Sequence, residues 1–327
     1  MCGIAGWRRY GTQKLDEAEV TGLLKSLEIR GRDATGLCWR GAKQDWVLKT
    51  PAKATDFVEM EEYKRCMPEI LESPFGLLHT RQSTHGNPSN NKNNHPIYNS
   101  KGLIIHNGIV STKEDLPGAK GETDTEQILL HIQALGWKGL EKMSGSLTFA
   151  YLDYNKKGFF LFTNGTMNLV WGYDFQRKIF VFASTENIVK GGLTPPRVLG
   201  RIPTIGLYDV PKNKVYYVGS KKISLVAKLE VPQWSGATYY AACGYTPATK
   251  YTPGTPTTKY TPVITPAVNR YKFPDTSTSG TVTTETMGVN SIEDVNEIIE
   301  REAKLREAEI GEAVGWVNEV EPECCVC

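Results

Sequence analysis

The chain has 327 residues, a net charge of +2, and 40% hydrophobic and 23% charged residues, a composition typical of a soluble globular protein. No apolar run approaches the roughly 18 residues that a membrane-spanning helix needs, and the first 30 residues carry no basic region followed by an apolar core, so we expect neither a membrane span nor a secretory signal. Seven scattered Cys do not form the pattern of a disulfide framework, and we therefore expect a reducing, cytoplasmic location.

The chain opens MCGIAGW, and two interpretations of Cys2 stand side by side. Cys2 can be a small hydrophobe at the head of a first strand. Alternatively, removal of Met1 makes Cys2 the N-terminal residue, which then carries both a thiol nucleophile and a free α-amine. Such an amine has a pKa of about 7.7 to 8.0, which suits a general base near neutral pH.

Residues up to about 230 read as one globular domain of α+β type. Apolar periodicity predicts helices over Asp16–Leu27 and Asp124–Leu135, each opening with an Asp that can cap it. Strands are predicted over Phe75–Arg81, Leu103–Asn107, Ser146–Leu152, Gly158–Thr163, Asn168–Tyr173 and Ile179–Ser184. Because the strands come in blocks with helices outside them, a layered fold is favoured over alternating βαβ units.

Four of the five His lie close together, at His79, His85, His95 and His106. Their spacing matches no metal-binding motif, so we predict no metal site there. His79, His95 and His106 are instead interpreted as hydrogen-bonded packing residues. Asn107-Gly108 has two interpretations, a tight hairpin turn or an amide and a backbone N–H that together hold a developing oxyanion.

From Gly236 to Met287 the composition changes to fifteen Thr and six Pro, and the triplet Tyr-Thr-Pro occurs three times. This predicts an extended, disordered linker over residues 231–289. Residues 290–320 follow as an amphipathic helix with an apolar stripe through Ser291–Val317. That helix can dock on its own domain, on a second copy or on a partner.

Charge is distributed unevenly, because residues 290–327 carry a net charge of −8 and the rest of the chain +10. An acidic tail of this kind can lie on a basic surface or remain solvated. The last residues, 321–327, form a Cys-rich tail with Cys324, Cys325 and Cys327. It is interpreted as reactive and frayed, since it matches neither a lipidation signal nor a metal site.

An ordered series of short motifs runs through the first 126 residues. In chain order they are Cys2–Gly6, Arg30–Gly36, His79–Arg81, Ser83–Gly86, Asn94–Pro96, His106–Gly108 and Thr123–Glu126. The series resembles the class II glutamine amidotransferases, which are N-terminal nucleophile hydrolases, and is most similar to the glutaminase domains of glucosamine-6-phosphate synthase and amidophosphoribosyltransferase. The resemblance implies a four-layer αββα sandwich over residues 2–230, followed by the linker and the single amphipathic helix.

The resemblance also implies a role for each matching residue. Cys2 attacks the side-chain amide of glutamine, with its own α-amine moving the proton, and Asn107 and Gly108 stabilise the oxyanion. Arg81 grips the substrate α-carboxylate and Asp124 its α-ammonium. Thr84, His85 and Gly86 line the glutamine loop, and Arg30 and Asp33 form a supporting ion pair. No cofactor is expected.

The sequence departs from the family at two places and contains no acceptor domain. Gln82 stands where relatives often carry an aromatic residue, and Asn164–Trp171 lacks their usual Arg and Pro-Leu. No nucleotide-binding loop follows the glutaminase domain. We therefore expect ammonia to pass to a separate synthase, with that enzyme or a second copy bound through residues 290–317, and no membrane or nucleic-acid partner. The alternatives are a stand-alone N-terminal-nucleophile amide hydrolase and a non-catalytic scaffold that uses the tail helix.

Overall fold

The computed structural model describes residues 1–112, 115–118, 122–193 and 205–232, with the backbone of 263–267 and residue 296. Its strands are β1 Gly3–Arg9, β2 Ala34–Arg40, β3 Asp45–Thr50, β4 Phe75–Arg81, β5 Ile97–Tyr98, β6 Gly102–Thr112, β7 Met143–Asp153, β8 Phe159–Thr163, β9 Val170–Asp174, β10 Ile179–Ala183, β11 Leu207–Asp209, β12 Lys214–Val218, β13 Ile223–Lys228 and β14 Val263–Ala267. Its α-helices are α1 Glu17–Leu27, α2 Ala54–Phe57, α3 Glu61–Glu72, α4 Asp124–Leu135 and α5 Glu186–Leu193. Within the described part of the chain, no helix is long and apolar enough to cross a membrane.

The strands form two sheets in which every hydrogen-bonded neighbour is antiparallel. The first sheet has eight strands in the order β11-β9-β10-β1-β4-β2-β3-β14. The second sheet has six strands in the order β13-β12-β8-β7-β6-β5. Strand β1 therefore lies inside the first sheet, paired on both sides.

The two sheets pack face to face, and helices cover their outer faces. Between the sheets, the ring of Phe159 lies 5.8 Å from that of Phe75 and 5.6 Å from that of Phe182. Neighbouring residues of a strand point to opposite faces, so Leu77 joins the core between the sheets while Leu78 joins the core under α1, α3 and α5. Helix α4 covers the second sheet. The four layers run α, β, β, α, and the predicted fold class is confirmed.

The two predicted helices are present, but they begin differently. Asp16 caps α1, since its side chain accepts from the Glu19 amide at 2.8 Å while the Glu19 carboxylate accepts from the Asp16 amide at 2.9 Å. In α4 the prediction of an Asp cap is wrong, because Thr123 occupies the N-cap and Asp124 is the first helical residue. The Asp124 carboxylate instead accepts the backbone N–H of Val110, at 2.9 Å.

Five residues of the predicted linker form β14, which pairs with β3 at the edge of the first sheet. The segment reads Val-Ile-Thr-Pro-Ala, and its β-branched residues favour a strand. Pro266 is compatible with this place, since an edge strand has one side without a ladder partner. The remainder of the linker beyond residue 232, the tail residues other than 296 and the Cys-rich tail lie outside the described residues.

Gly36 lets the chain that precedes β5 lie directly against β2. Within the first sheet, Gly36 pairs with Lys49 of β3 on one side and with His79 of β4 on the other. A Cβ placed on Gly36 would lie 2.1 Å from the carbonyl oxygen of His95 and 2.9 Å from Cβ of Lys49. Because backbone and a neighbouring strand fill this space, a methyl group cannot be accommodated by rotating a side chain.

We therefore predict that Gly36→Ala lowers the free energy of unfolding by about 1 to 3 kcal/mol, the usual cost of overpacking. Gly191→Ala is the matched control, because its Cβ would meet only the Ser26 side chain, which can rotate. Urea unfolding of both variants measures the difference. Equal midpoints for Gly36→Ala and the wild type would contradict this account of the contact.

Candidate active site

Cys2 lies at the start of β1, at the point where that strand meets β4. The register pairs Gly3 with Thr80, which places Cys2 beside Arg81. The Ile4 amide donates to the Ser184 hydroxyl at 2.9 Å, and this bond secures the strand on its other side. The first sheet therefore holds the N-terminal segment from Gly3 onward.

The Cys2 thiol is partly buried and donates to the carbonyl oxygen of Gln82 at 3.6 Å. Burial raises the pKa of the thiol, and the Asp124 carboxylate raises it further, while the charge of Arg81 lowers it. The Cys2 carbonyl accepts from Nε of Arg30 at 3.3 Å. A thiol with a raised pKa is protonated at neutral pH, so it needs a base to become a nucleophile.

Arg81 is buried at the end of β4, where it organises the loop that follows. Its Nη1 donates to Oδ1 of Asn94 at 2.8 Å, and its Nη2 donates to the carbonyls of His85 and Gly86, the latter at 3.0 Å. Thr84 and His85 are exposed, and Gly86 has a φ of +71°. Of the predicted loop residues, His85 and Gly86 therefore bind the Arg81 guanidinium through their carbonyls.

Asp33 holds the beginning of the same loop. Its Oδ2 accepts from the Ser83 amide at 2.7 Å and from Nε2 of Gln82 at 3.3 Å, and its own amide donates to the Arg81 carbonyl at 2.9 Å. The Asp33 carboxylate also favours the charged form of Arg81. Asp33 thus supports the loop directly, and its pairing with Arg30 stays a prediction.

Asn107 and Gly108 lie inside β6, where they pair with Thr148 and Leu147 of β7. The hairpin-turn interpretation of this pair is therefore wrong, because β6 continues to Thr112. Gly108 has a φ of +148°, and a Cβ there would lie 1.9 Å from the Ser146 carbonyl oxygen. Neither side-chain atom of Asn107, although buried, has a hydrogen-bond partner among the described residues. An unpartnered buried amide is unusual and marks a place where a ligand atom can bind.

A contact between the sheets brings β6 to the Cys2 end of the first sheet. Nε2 of His79, on β4, lies 3.1 Å from the carbonyl oxygen of His106, on β6. His79 is two residues before Arg81, and His106 directly precedes Asn107. The predicted nucleophile, the carboxylate-binding residue and the oxyanion residues are thereby collected at one end of the sandwich.

Below the site lies a buried group of histidines centred on Thr125. The Thr125 hydroxyl is 2.9 Å from Nε2 of His95 and 3.2 Å from Nδ1 of His106, and the rings of His79 and His95 stack at 4.1 Å. Burial lowers the pKa of all three histidines, that of His79 to about 3. They are neutral at physiological pH, as expected of packing residues.

Two residues of this region were not predicted as site residues. Asn94 bonds Arg81 and was noticed only as part of a motif. Lys49 is buried in β3, and its Nζ donates to the carbonyls of Asn94 at 2.6 Å and Pro96 at 2.9 Å, with the Tyr98 ring 5.0 Å away. No sequence signal distinguishes Lys49 from an exposed strand lysine. Within the described ranges no group of His, Cys, Asp and Glu has an arrangement that could hold a metal ion.

Two antiparallel sheets packed between layers of helices, with Cys2 directly before an inner strand, form the sandwich that the sequence predicted. One solved structure with this fold is the glutamine phosphoribosylpyrophosphate amidotransferase of B. subtilis, with a TM-score of 0.53, 15% identity and coverage of 69% of this chain and 49% of that one. At this identity the likeness shows the fold alone.

Curated sequence relatives carry the same likeness. The chain is 30% identical over 171 residues to the glutamine–fructose-6-phosphate aminotransferase of Shouchella clausii. This alignment covers 47% of this chain and 27% of the relative. It is 38% identical over 149 residues to that of Clostridium tetani, covering 42% and 23%. No family profile matches the chain. These relatives bear out the resemblance to class II glutamine amidotransferases that the motifs predicted, and the chain spans about a quarter of their length.

We predict that Lys49 makes stability depend on pH. Burial lowers its pKa to about 7 in the folded protein, whereas an unfolded lysine has a pKa of about 10.4. Between these values the unfolded chain binds more protons, so the free energy of unfolding rises with pH through this window. Lys49→Met should remove this part of the slope between pH 7 and pH 9, as measured by urea unfolding.

The exposed Lys43, at the turn between β2 and β3, supplies the control. Lys43→Met should keep the wild-type slope, and comparison with the wild type cancels the titration of all other groups. An unchanged slope in Lys49→Met would show that Lys49 is charged in the folded state at neutral pH.

Proposed function

We propose that this protein hydrolyses glutamine to glutamate and ammonia through a thioester on Cys2. The observation that carries the proposal is electrostatic: the Cys2 thiol lies within the fields of both Arg81 and Asp124. A cation and an anion beside one nucleophile match the carboxylate and ammonium of a free amino acid. The family of the domain supports glutamine as that amino acid.

The first step requires that Met1 be removed, so that Cys2 carries the free α-amine. The amine takes the thiol proton as sulfur attacks the side-chain amide carbon of glutamine, and a C–S bond forms. Because burial raises the thiol pKa, a base in this position supplies what the thiol lacks. An α-amine with a pKa of about 7.7 to 8.0 is suited to receive and return a proton near neutral pH.

The tetrahedral intermediate carries its negative charge on the former amide oxygen. The Asn107 amide, which has no partner among the described residues, and the Gly108 N–H stabilise that oxygen. Loss of one such donor typically raises the barrier by about 2.7 to 4 kcal/mol. The intermediate then breaks its C–N bond, the α-ammonium returns its proton, and ammonia leaves. Water attacks the thioester, the C–S bond breaks, and glutamate and the free thiol are released.

Arg81 and Asp124 recognise the head group of the substrate. Both hydrogens of Arg81 Nη2 are directed to loop carbonyls in the structure. A bidentate pair with the substrate carboxylate therefore implies that the carbonyls of His85 and Gly86 give up part of this bonding. The loop of Thr84, His85 and Gly86 would then respond to glutamine directly, since it shares the guanidinium with the substrate.

The ammonia acceptor is proposed to be a separate enzyme. Ammonia released into bulk water at neutral pH becomes ammonium and loses its nucleophilicity, which favours direct transfer to a bound partner. Residues 236–287 do not supply an acceptor core, because their Thr/Pro-rich composition is too poor in apolar residues. A cytoplasmic location and binding of that partner through residues 290–317 stay predictions. No observation of the structure favours the stand-alone hydrolase or the scaffold.

The N-terminal position of Cys2 supplies the sharpest test. Insertion of one Ala between Met1 and Cys2 should reduce glutaminase activity to background, because the base is then no longer on the nucleophile. Cys2→Ala should do the same, while Cys66→Ala, on helix α3, should remain active. Glutamate release is measured, with intact mass to confirm the first residue. Activity in protein that retains Met1 would contradict the mechanism.

Recognition of the head group is tested by Asp124→Asn, which keeps an oxygen to accept the Val110 N–H but removes the charge. Loss of a charge-assisted hydrogen bond of about 1.5 to 3 kcal/mol should raise KM for glutamine by about tenfold to hundredfold. Asp16→Asn is the matched control, since Asn caps a helix as well as Asp does.

The same variant separates the two enzymatic hypotheses. If the natural substrate is another amide without a free amino-acid head group, Asp124→Asn should leave its hydrolysis unchanged. A Cys2-dependent activity that is insensitive to Asp124→Asn would therefore favour the general amide hydrolase.

A further inference from the structure

An aromatic groove, which has no part in the proposed chemistry, lies on the outer face of the second sheet. Its floor is a row of paired residues on three adjacent strands, Tyr151 on β7, Phe160 on β8 and Tyr217 on β12. Their rings lie 5.9 Å and 4.8 Å apart, and Trp137 lies 4.8 Å from Phe160. The groove has a volume of about 590 Å³. Cys2 does not line it.

The groove is open along β13, the edge strand of this sheet. Ser224 and Val226 line it, and Val226 is 47% exposed, with its neighbour Leu225 44% exposed. Adjacent apolar residues exposed on an edge strand are a liability that proteins normally cover. This surface is therefore expected to have an occupant.

One described residue of the C-terminal tail lies at this edge. The backbone N–H of Ile223, the first residue of β13, donates to Oδ1 of Asn296 at 2.9 Å. Asn296 is helical and partly buried. Asn296, which belongs to the apolar segment of the tail, therefore lies at the strand along which the groove is open.

Helical geometry places the apolar stripe of the tail on the side of Asn296. Residues three and four apart share a face, so Ile292 and Ile299 lie beside Asn296 in a helix. The same face continues through Ala303, Ile310, Val314 and Val317. Ile298 falls on the opposite side. In a helix that passes through Asn296 while Asn296 is bound to β13, this stripe would face the sheet.

The charges of the two surfaces are complementary. Residues 212–228, which contain the β12–β13 hairpin, include five lysines and no acidic residue. The charged residues that line the groove itself are Lys101, Lys156 and one carboxylate, Asp153. Residues 290–327 carry a net charge of −8. Opposite charges of this size attract over about 8 to 10 Å at physiological salt, and the covalent tether raises the local concentration further.

We propose that residues 291–317 fold as a helix into this groove of their own domain. The groove lies at the Gly102 and Asp153 end of β6 and β7, about 20 Å along the strand from Gly108 at 3.4 Å per residue. A docked tail covers the open edge of the second sheet and leaves the Cys2 end of the sandwich accessible.

Hydrogen exchange of the full-length chain, followed by mass spectrometry, tests the proposal. In the wild type, backbone amides of 292–300 and of 223–228 should both exchange slowly. Ile299→Asp should speed exchange in both segments at least tenfold. Ile298→Asp is the matched control, the same change one residue away on the other face, and should behave as the wild type.

Val226→Asp repeats the test from the groove side without altering the tail. It should release 292–300, while exchange in the core strands stays unchanged because Val226 is exposed. This separates docking from a helix that merely forms by itself, since such a helix would be unaffected by Val226→Asp.

Hydrogen exchange measured at several protein concentrations identifies which molecule occupies the groove. Protection that persists when the protein is monomeric by light scattering supports docking within one chain. If the protein is dimeric and loses this protection on dilution, the groove is occupied by a second copy. If residues 292–300 exchange fast in the purified wild type, the groove is left to a different partner. Either result would overturn the proposal.

Discussion

Strand β1 pairs with β4 through six residue pairs, and this register sets Gly3 opposite Thr80. Cys2 consequently stands beside Arg81, the residue that organises the loop over the site. Both strands are buried on two faces, so a slip by one residue would turn core side chains out of both cores at once. The hydrophobic packing of the first sheet therefore determines the position of the nucleophile, although Cys2 itself contributes little to that packing.

The polar groups behind the site are buried, and burial favours the neutral forms of most of them. Three histidines are neutral because burial lowers their pKa, and Lys49 is driven toward neutrality by the same effect. Arg81 remains as the cation, facing Asp33 and Asp124. The Thr125 hydroxyl is within hydrogen-bond distance of His95, and the Asn94 side chain accepts from Arg81.

Local patterns predicted some elements closely and misread others. Strand β4 has the predicted bounds, since an apolar run that ends in Arg81 is unambiguous. The turn interpretation of Asn107-Gly108 failed because pairing with β7 outweighs the local preference of an Asn-Gly pair. Asp124 was read as a cap, yet its carboxylate bonds Val110 in another element. Lys49 was not found, because the burial of a lysine is a product of the folded neighbours and leaves no trace in a strand sequence.

The amino-acid sequence by itself determined which chemical groups are available: a thiol behind the initiator, an Arg at a strand end, an Asn-Gly pair and an Asp that opens a helix. Their order was also enough to indicate the family, because such motifs are read along the chain. Only the tertiary structure decided that Cys2 stands beside Arg81 and within the field of Asp124. Cys2 directly precedes β1, while Arg81, Asn107 and Asp124 lie on β4, β6 and α4. Their relative positions depend on strand register and on the packing of one sheet on the other. These are long-range contacts, whose energies come from burial of surfaces distant in sequence, so no local pattern encodes them.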